Sequence, residues 1–158
     1  MDCSNSPDGK IQPSLEKWYE AIEDCYDIKV RKDKSLEYLH QQGVMMLNSD
    51  LTCKKDKTGS HEGLWHPFQE YFLKEVMYGT TGVVYVLCGK ESKKMAKYIN
   101  PLGNHIISLE HPAAASHKNS VWKHQNVFKT INRILKDNNN YEIMWNPSDW
   151  ENYITPPF

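Results

Sequence analysis

Gly82-Val-Val-Tyr-Val-Leu-Cys-Gly89 is an uncharged run of β-branched, aromatic and aliphatic residues with a glycine at each end. Such a run, over Val83–Leu87, reads as a strand buried on both faces of a parallel sheet, because a strand with one wet face would alternate polar and apolar residues. Gly89 then opens a lysine-rich helix. Beyond it, His105-Ile-Ile-Ser-Leu109 reads as a second strand, and upstream Val44-Met-Met-Leu47 reads as another buried one. Strand, helix, strand, helix, strand, helix is the order of an α/β domain with a mostly parallel sheet. Such sheets bind ligands outside the carboxyl ends of their strands, which here are Asn48, Cys88-Gly89 and His111.

The helices fit around that frame. Pro13 and Ser14 open a first helix, with Ser14 as its N-cap and Leu15, Trp18, Ile22 and Cys25 on one face. A short helix over Lys34–Gln42 ends at Gly43. After a polar loop from Asn48 to His61, a helix starting near Pro67 carries Trp65, Phe68, Phe72 and Val76 in one stripe. His111-Pro-Ala-Ala-Ala-Ser116 reads as a loop. The helix after it turns Val127, Phe128, Ile131, Ile134 and Leu135 to the core, and the tail from Asn138 reads as a surface wrap.

With 158 residues and 39% hydrophobic content, the chain has the size and apolar material of one domain, residues 1–158. Cys3, Cys25, Cys53 and Cys88 form no CxxC pair and no zinc-type spacing with the seven histidines, so they read as reduced thiols with no metal site. No apolar run approaches the roughly 18 residues of a membrane span, and the polar start is unlike a signal peptide, which points to a cytoplasmic protein with no membrane partner. A net charge of -1 argues against binding of nucleic acid by bulk charge, since such domains usually carry a clear basic excess. The distribution is uneven, however, since Lys90 to Lys136 holds nine basic residues against Glu91 and Glu110. That stretch reads either as a basic face or as ordinary solvated helix surface.

Two polar residues at strand ends draw attention. Asn48 directly after an apolar run presents a donor and an acceptor to one planar ligand edge, as a uracil imide requires, or else forms a turn. His111, between a strand end and a proline, either acts on a substrate or caps its loop. Asp50, two residues after Asn48, is the nearest carboxylate.

Taken in order, Gly43-Val-Met-Met-Leu-Asn-Ser-Asp-Leu-Thr52, Gly59-Ser-His61, Gly82–Gly89 and His111–Ser116 resemble the family 1 uracil-DNA glycosylases. Their pattern is an apolar strand ending in LLLN with a following LT, then SH, then a strand ending in WGS, then an HPSPLS loop. Ile11-Gln-Pro-Ser-Leu is similar to that family's PPSL segment, so the resemblance runs from about Cys3 to about Leu135. It implies a three-layer sandwich with a short, mostly parallel central sheet. It also implies a base-excision-repair enzyme that flips uracil out of single- or double-stranded DNA and hydrolyses its N-glycosidic bond without a cofactor, in the cytoplasm or, in a eukaryote, the nucleus.

Position by position, Asn48 matches the asparagine that reads the uracil edge. His111 matches the histidine that donates to the uracil carbonyl as the bond breaks. Ser116 matches a phosphate-contacting serine, and Gly89 the glycine of a loop that pinches the DNA backbone. Lys90 stands in place of that loop's serine and Cys88 in place of its tryptophan. Ala115 replaces a leucine that wedges into the base stack, and Cys3 replaces the phenylalanine on which uracil stacks, where an aromatic ring is worth roughly 1–3 kcal/mol. The family's GQDPYH segment, with its water-activating aspartate, lies upstream of that phenylalanine and is not within these residues. The resemblance therefore implies a weak enzyme when the chain acts alone, and a sheet edge open to a protein partner. The competing reading is a non-catalytic DNA- or protein-binding descendant. An unrelated α/β hydrolase or nucleotide-binding domain finds no GxSxG, P-loop or GxGxxG in support.

Overall fold

Pro13 takes the first position of a 14-residue helix, α1 (Pro13–Tyr26), where its missing N–H costs nothing. Gln12, in extended conformation, occupies the cap position expected for Ser14, and its side chain makes no capping bond. At the other end Asp27 adopts a left-handed conformation and donates its N–H to the Glu23 carbonyl. The structure, a computed structural model, describes residues 11–57, 59–117 and 121–154, the side chains of 116 and 117 excepted. Cys3 lies outside them. The chain divides into two compact units, one of residues 1–46 and 110–158 and one of residues 47–109.

The first unit is helical and closes on aromatic rings. α1 buries Leu15, Trp18, Tyr19, Ala21, Ile22 and Cys25, and α2 (Glu37–Gln41) buries Tyr38 and Leu39. α5 (Pro112–His117) packs on α1. α6 (Val127–Asp137) buries Val127, Phe128 and Ile131, leaving Ile134 and Leu135 half-buried. Trp18 packs edge-on to Phe128 at 4.8 Å and stacks near Trp122 at 6.2 Å, while Trp145 meets Phe128 at 4.9 Å.

The tail does more than wrap. Gln42 donates to the Met144 carbonyl and accepts from its N–H, and Asn132 does the same for Ile143. Two side-chain amides thus stand in for a missing strand partner and hold Trp145 in the core ahead of α7 (Pro147–Ile154).

In the second unit, β1 (Val84–Cys88) and β2 (His105–Leu109) pair in parallel, in register from Val84 with His105 to Cys88 with Leu109. Asn104 prepares the pairing by accepting the Val83 N–H at 3.0 Å and donating to the Thr80 and Asn100 carbonyls. The crossover runs through α4 (Lys90–Lys93) and a 3-10 turn over Lys94–Tyr98 that buries Met95. α3 (His66–Tyr71) continues into a π-turn over Phe72–Val76.

The α/β class with a short parallel sheet is what the chain has, but several elements differ from expectation. Val44–Leu47 forms no strand: β1 pairs with β2, no ladder reaches 44–47 among the described residues, and Met45 and Leu47 are exposed. Apolar character alone makes no strand without a partner for its N–H and C=O groups. β1 is half-buried along most of its length rather than covered on both faces. The stripe of Trp65, Phe68, Phe72 and Val76 is partly open, and the buried residue on α3 is Gln69. His111–Ser116, expected as a loop, leads into the helix α5 because Pro112 suits a first turn and three alanines follow it.

Candidate functional site

His111 stands two residues beyond β2, at the head of α5. Its Nδ1 accepts the Ala113 N–H at 3.1 Å, and its carbonyl accepts the Ala114 N–H at 2.9 Å. The side chain therefore caps the first turn of α5, as Ser or Asp would. An Nδ1 that accepts carries no proton, so the neutral ring keeps its hydrogen on Nε2 and presents it outward as a donor. Although the residue is exposed at the surface, partial burial of the ring holds its pKa below the ordinary 6.5. Desolvation disfavours the charged form, and the capped N–H has no partner if Nδ1 is protonated. The capping reading and the acting reading of His111 are thus compatible, since the cap is what fixes the tautomer.

Ala115, from the same helix, is buried, so its methyl offers no wedge at the surface. Ser116 is placed by its backbone within α5. The structure thus brings His111, Ala115 and Ser116 together on one short capped helix.

Asn48 belongs to the second unit, is exposed, and follows the irregular 44–47 segment. What holds its backbone is Gln69, whose Nε2 donates to the carbonyls of Asn48 at 3.2 Å and Ser49 at 2.5 Å. Asp50 accepts the Gly63 N–H at 3.1 Å and so stabilises the 50–63 loop. Beside the same loop the Trp65 indole donates to the Thr52 hydroxyl, which is also hydrogen-bonded to His61 Nδ1 at 2.8 Å. Gly89 follows β1 at φ 93, a conformation that side chains disfavour. Its N–H donates to the Leu109 carbonyl and its own carbonyl accepts from Ser92. Lys90 is exposed at the start of α4. Cys88 beside it is buried enough to push its thiol up to about 11, which keeps it protonated and unreactive.

Sequence reading misses three groups. Gln69 sits within an apolar stripe and gives no signal of its own. Trp122 looks like core. His124 is buried with Nδ1 3.4 Å from the Cys25 sulfur and Nε2 2.9 Å from Asp24. Despite that Cys-His-Asp order, the thiol is buried and its pKa raised by desolvation, so the cluster ties α1 to the 122–126 turn and is no nucleophile. Among the described residues no group of His, Cys, Asp and Glu could hold a metal ion, and no helix is long and apolar enough to cross a membrane.

No protein-family model matches the chain. Among curated proteins it is similar to the uracil-DNA glycosylase of Mesomycoplasma hyopneumoniae, 31% identical over 137 residues that cover 86% of this chain and 62% of that protein. The Flavobacterium johnsoniae enzyme is 30% identical over 145 residues, covering 90% and 66%. That of Fusobacterium nucleatum is 30% identical over 139 residues, covering 86% and 60%. The chain thus spans less than two thirds of the length of these curated relatives. Among solved structures, its fold is similar to mimivirus uracil-DNA glycosylase, with TM-score 0.75 and 22% identity over 85% of this chain and 55% of that one. A variant of the mimivirus protein solved in complex with UGI gives TM-score 0.76 over 86% and 56%, again at 22% identity.

Proposed function

We propose that this chain, a relative of the uracil-DNA glycosylases, acts on uracil in DNA, with His111 as the electrophilic donor and Asn48 as the reader of the base edge. The observation that carries the reading is the bond from the Ala113 N–H to His111 Nδ1. It leaves a neutral imidazole whose Nε2–H has no acceptor among the described residues and can donate to a ligand. Cleavage of a glycosidic bond to uracil leaves a uracil anion and a sugar cation, so a fixed donor at the developing oxyanion lowers the barrier. A ring with a depressed pKa stays neutral near pH 7 and stabilises that oxyanion as a hydrogen-bond donor without giving up its proton.

Asn48 presents a carboxamide, with an acceptor for the imide N–H and a donor for the neighbouring carbonyl of uracil, and cytosine lacks that imide hydrogen. Gly89 and Lys90 contact the DNA backbone, with Ser116 as a further phosphate contact. Ala115 supplies no wedge, and Cys3 replaces a stacking ring. The substrate is uracil-containing DNA, single- or double-stranded, and single-stranded DNA, where the base is already unstacked, suits a site without a wedge.

The GQDPYH segment that supplies the family's water-activating aspartate is not within these 158 residues. A general base contributes about 10²–10⁴ in rate, so the chain tested by itself turns over more slowly by that factor. In this reading residues 1–158 act as one domain in the cytoplasm or, in a eukaryote, the nucleus, and a protein partner covers the open sheet edge. The test is abasic-site formation on a uracil-containing single-stranded oligonucleotide under enzyme excess. Product from the wild type, formed about 10²–10³-fold more slowly by His111→Asn, supports the reading. No product over hours overturns catalysis, and DNA binding indifferent to uracil and to Asn48→Ala favours the non-catalytic descendant.

A further inference from the structure

Three tryptophans stand in the aromatic core of the first unit, and their indole N–H groups meet different fates. Those of Trp18 and Trp145 are buried and find no acceptor among the described residues. That of Trp122 donates to the Glu110 carbonyl at 2.8 Å. Trp122 is 2% exposed and stacks near Trp18, so its N–H direction is set by packing on both sides of the ring.

Glu110 immediately precedes His111. The Glu110 carbonyl and the His111 N–H belong to one rigid peptide plane, because the C–N bond between them does not rotate freely. Holding that carbonyl therefore fixes the direction in which the chain enters His111. The following carbonyl, that of His111 itself, is held by the Ala114 N–H, and α5 is seated on α1 with Ala115 and Pro112 buried. With both peptide planes fixed, only the two side-chain torsions of His111 remain, and the Ala113 N–H at Nδ1 selects among them.

We infer that Trp122 is a positioning residue for His111, acting through the Glu110 carbonyl to hold the imidazole with its Nε2–H aimed outward. The inference rests on the proposed role of His111 as the donor to uracil, and it adds the device that aims it. If the indole lets go, the 110–111 plane can rotate, the Ala113 bond to Nδ1 loosens, and the ring samples the tautomer with its proton on Nδ1.

The experiment compares Trp122→Phe with Trp145→Phe. Both replace a buried indole of one aromatic cluster by a phenyl ring, but only the first removes a donated hydrogen bond. Nitrogen-15 spectra of the imidazoles, with His111 assigned through His111→Asn, report the tautomer directly. In the wild type and in W145F the ring is expected as the Nε2–H form, whereas in W122F a fraction of Nδ1–H form appears. On uracil-containing DNA, W122F is expected to lower kcat about tenfold with KM within about twofold, since a small misplacement of a reacting group costs rate more than binding.

Should W122F fail to fold, replacing the tryptophans by benzothienylalanine removes the indole N–H groups and keeps the ring shape, with the same tautomer change expected. An unchanged His111 spectrum in folded W122F or in the substituted protein, or an equal change in W145F, overturns the inference. If the wild type releases no uracil, the glycosylase reading fails, and the spectra still decide what Trp122 does.

Discussion

The two units of this chain carry the two principal candidate residues in different settings. In the first, His111 heads a helix seated on α1, and the unit's core is a cluster of aromatic rings that includes Trp18, Phe128 and Trp145 with 0–8% exposure. In the second, Asn48 follows a partly exposed stretch, the sheet pairs a half-buried β1 with a largely exposed β2, and Phe68 and Tyr71 on α3 are 43% and 60% exposed. The first residue is framed by packing and the second by hydrogen bonds to its backbone. One candidate residue is thus set by close packing around its helix, while a buried glutamine steadies the backbone of the other.

The sharpest break in that comparison is a pair of truncations. Phe128→Ala empties the middle of the aromatic cluster and is expected to lower stability by about 3–5 kcal/mol. Phe68→Ala, on the open stripe, should cost less than about 1 kcal/mol. Urea melts of both variants check the contrast, and equal losses would mean that the second unit is packed as tightly as the first.

Next in size is the effect on chemistry, where His111→Asn removes the aimed donor and should slow uracil release about 10²–10³-fold, while asparagine, itself a good cap, keeps α5 folded at only a small loss of stability. Single-turnover rates with a melting midpoint for each protein measure this. A slowing that merely follows loss of fold would assign His111 to the cap alone.

Gln69→Leu tests the other half. It removes two donations to the Asn48 and Ser49 carbonyls together with a buried amide oxygen that has no partner among the described residues, so the net cost should be only about 1–2 kcal/mol. Backbone amide exchange around residues 48–50 should quicken more than elsewhere in the second unit. A uniform change would deny Gln69 its local role.

The smallest effect concerns pH. Burial lowers the folded pKa of His111 below 6.5, so the unfolded chain takes up the proton first as pH falls. The stability that the neutral ring contributes is complete above about 6.5 and declines as pH drops through the depressed folded value. The melting temperature of the wild type relative to His111→Asn should therefore shrink between about pH 7 and pH 5. A difference that grows would reverse the sign of the shift.

How much of this was legible in the sequence depends on how far away each cause lies. β2 over His105–Leu109 and the single-face helix α1 follow from local period and composition. Val44–Leu47 looks like a strand because its apolarity is local, whereas pairing is not. α5 is written in Pro112 and three alanines, and a loop reading takes those small residues for close backbone approach when alanine is the best helix former. His111 and Asn48 were found through motif order, not through any property of their own. Gln69 and Trp122 were out of reach, since each acts on a backbone carbonyl 21 or 12 positions away and a carbonyl leaves no mark on composition.

The most direct measurement is a titration of the nitrogen-15-labelled chain with free uracil, following the Asn48 side-chain amide and the His111 Nε2 resonance, with cytosine as the control. The account predicts that both signals shift on one saturation curve with uracil and stay still with cytosine. If only one of them moves, if the two saturate at different concentrations, or if cytosine acts as uracil does, then these residues do not read and polarise the same base.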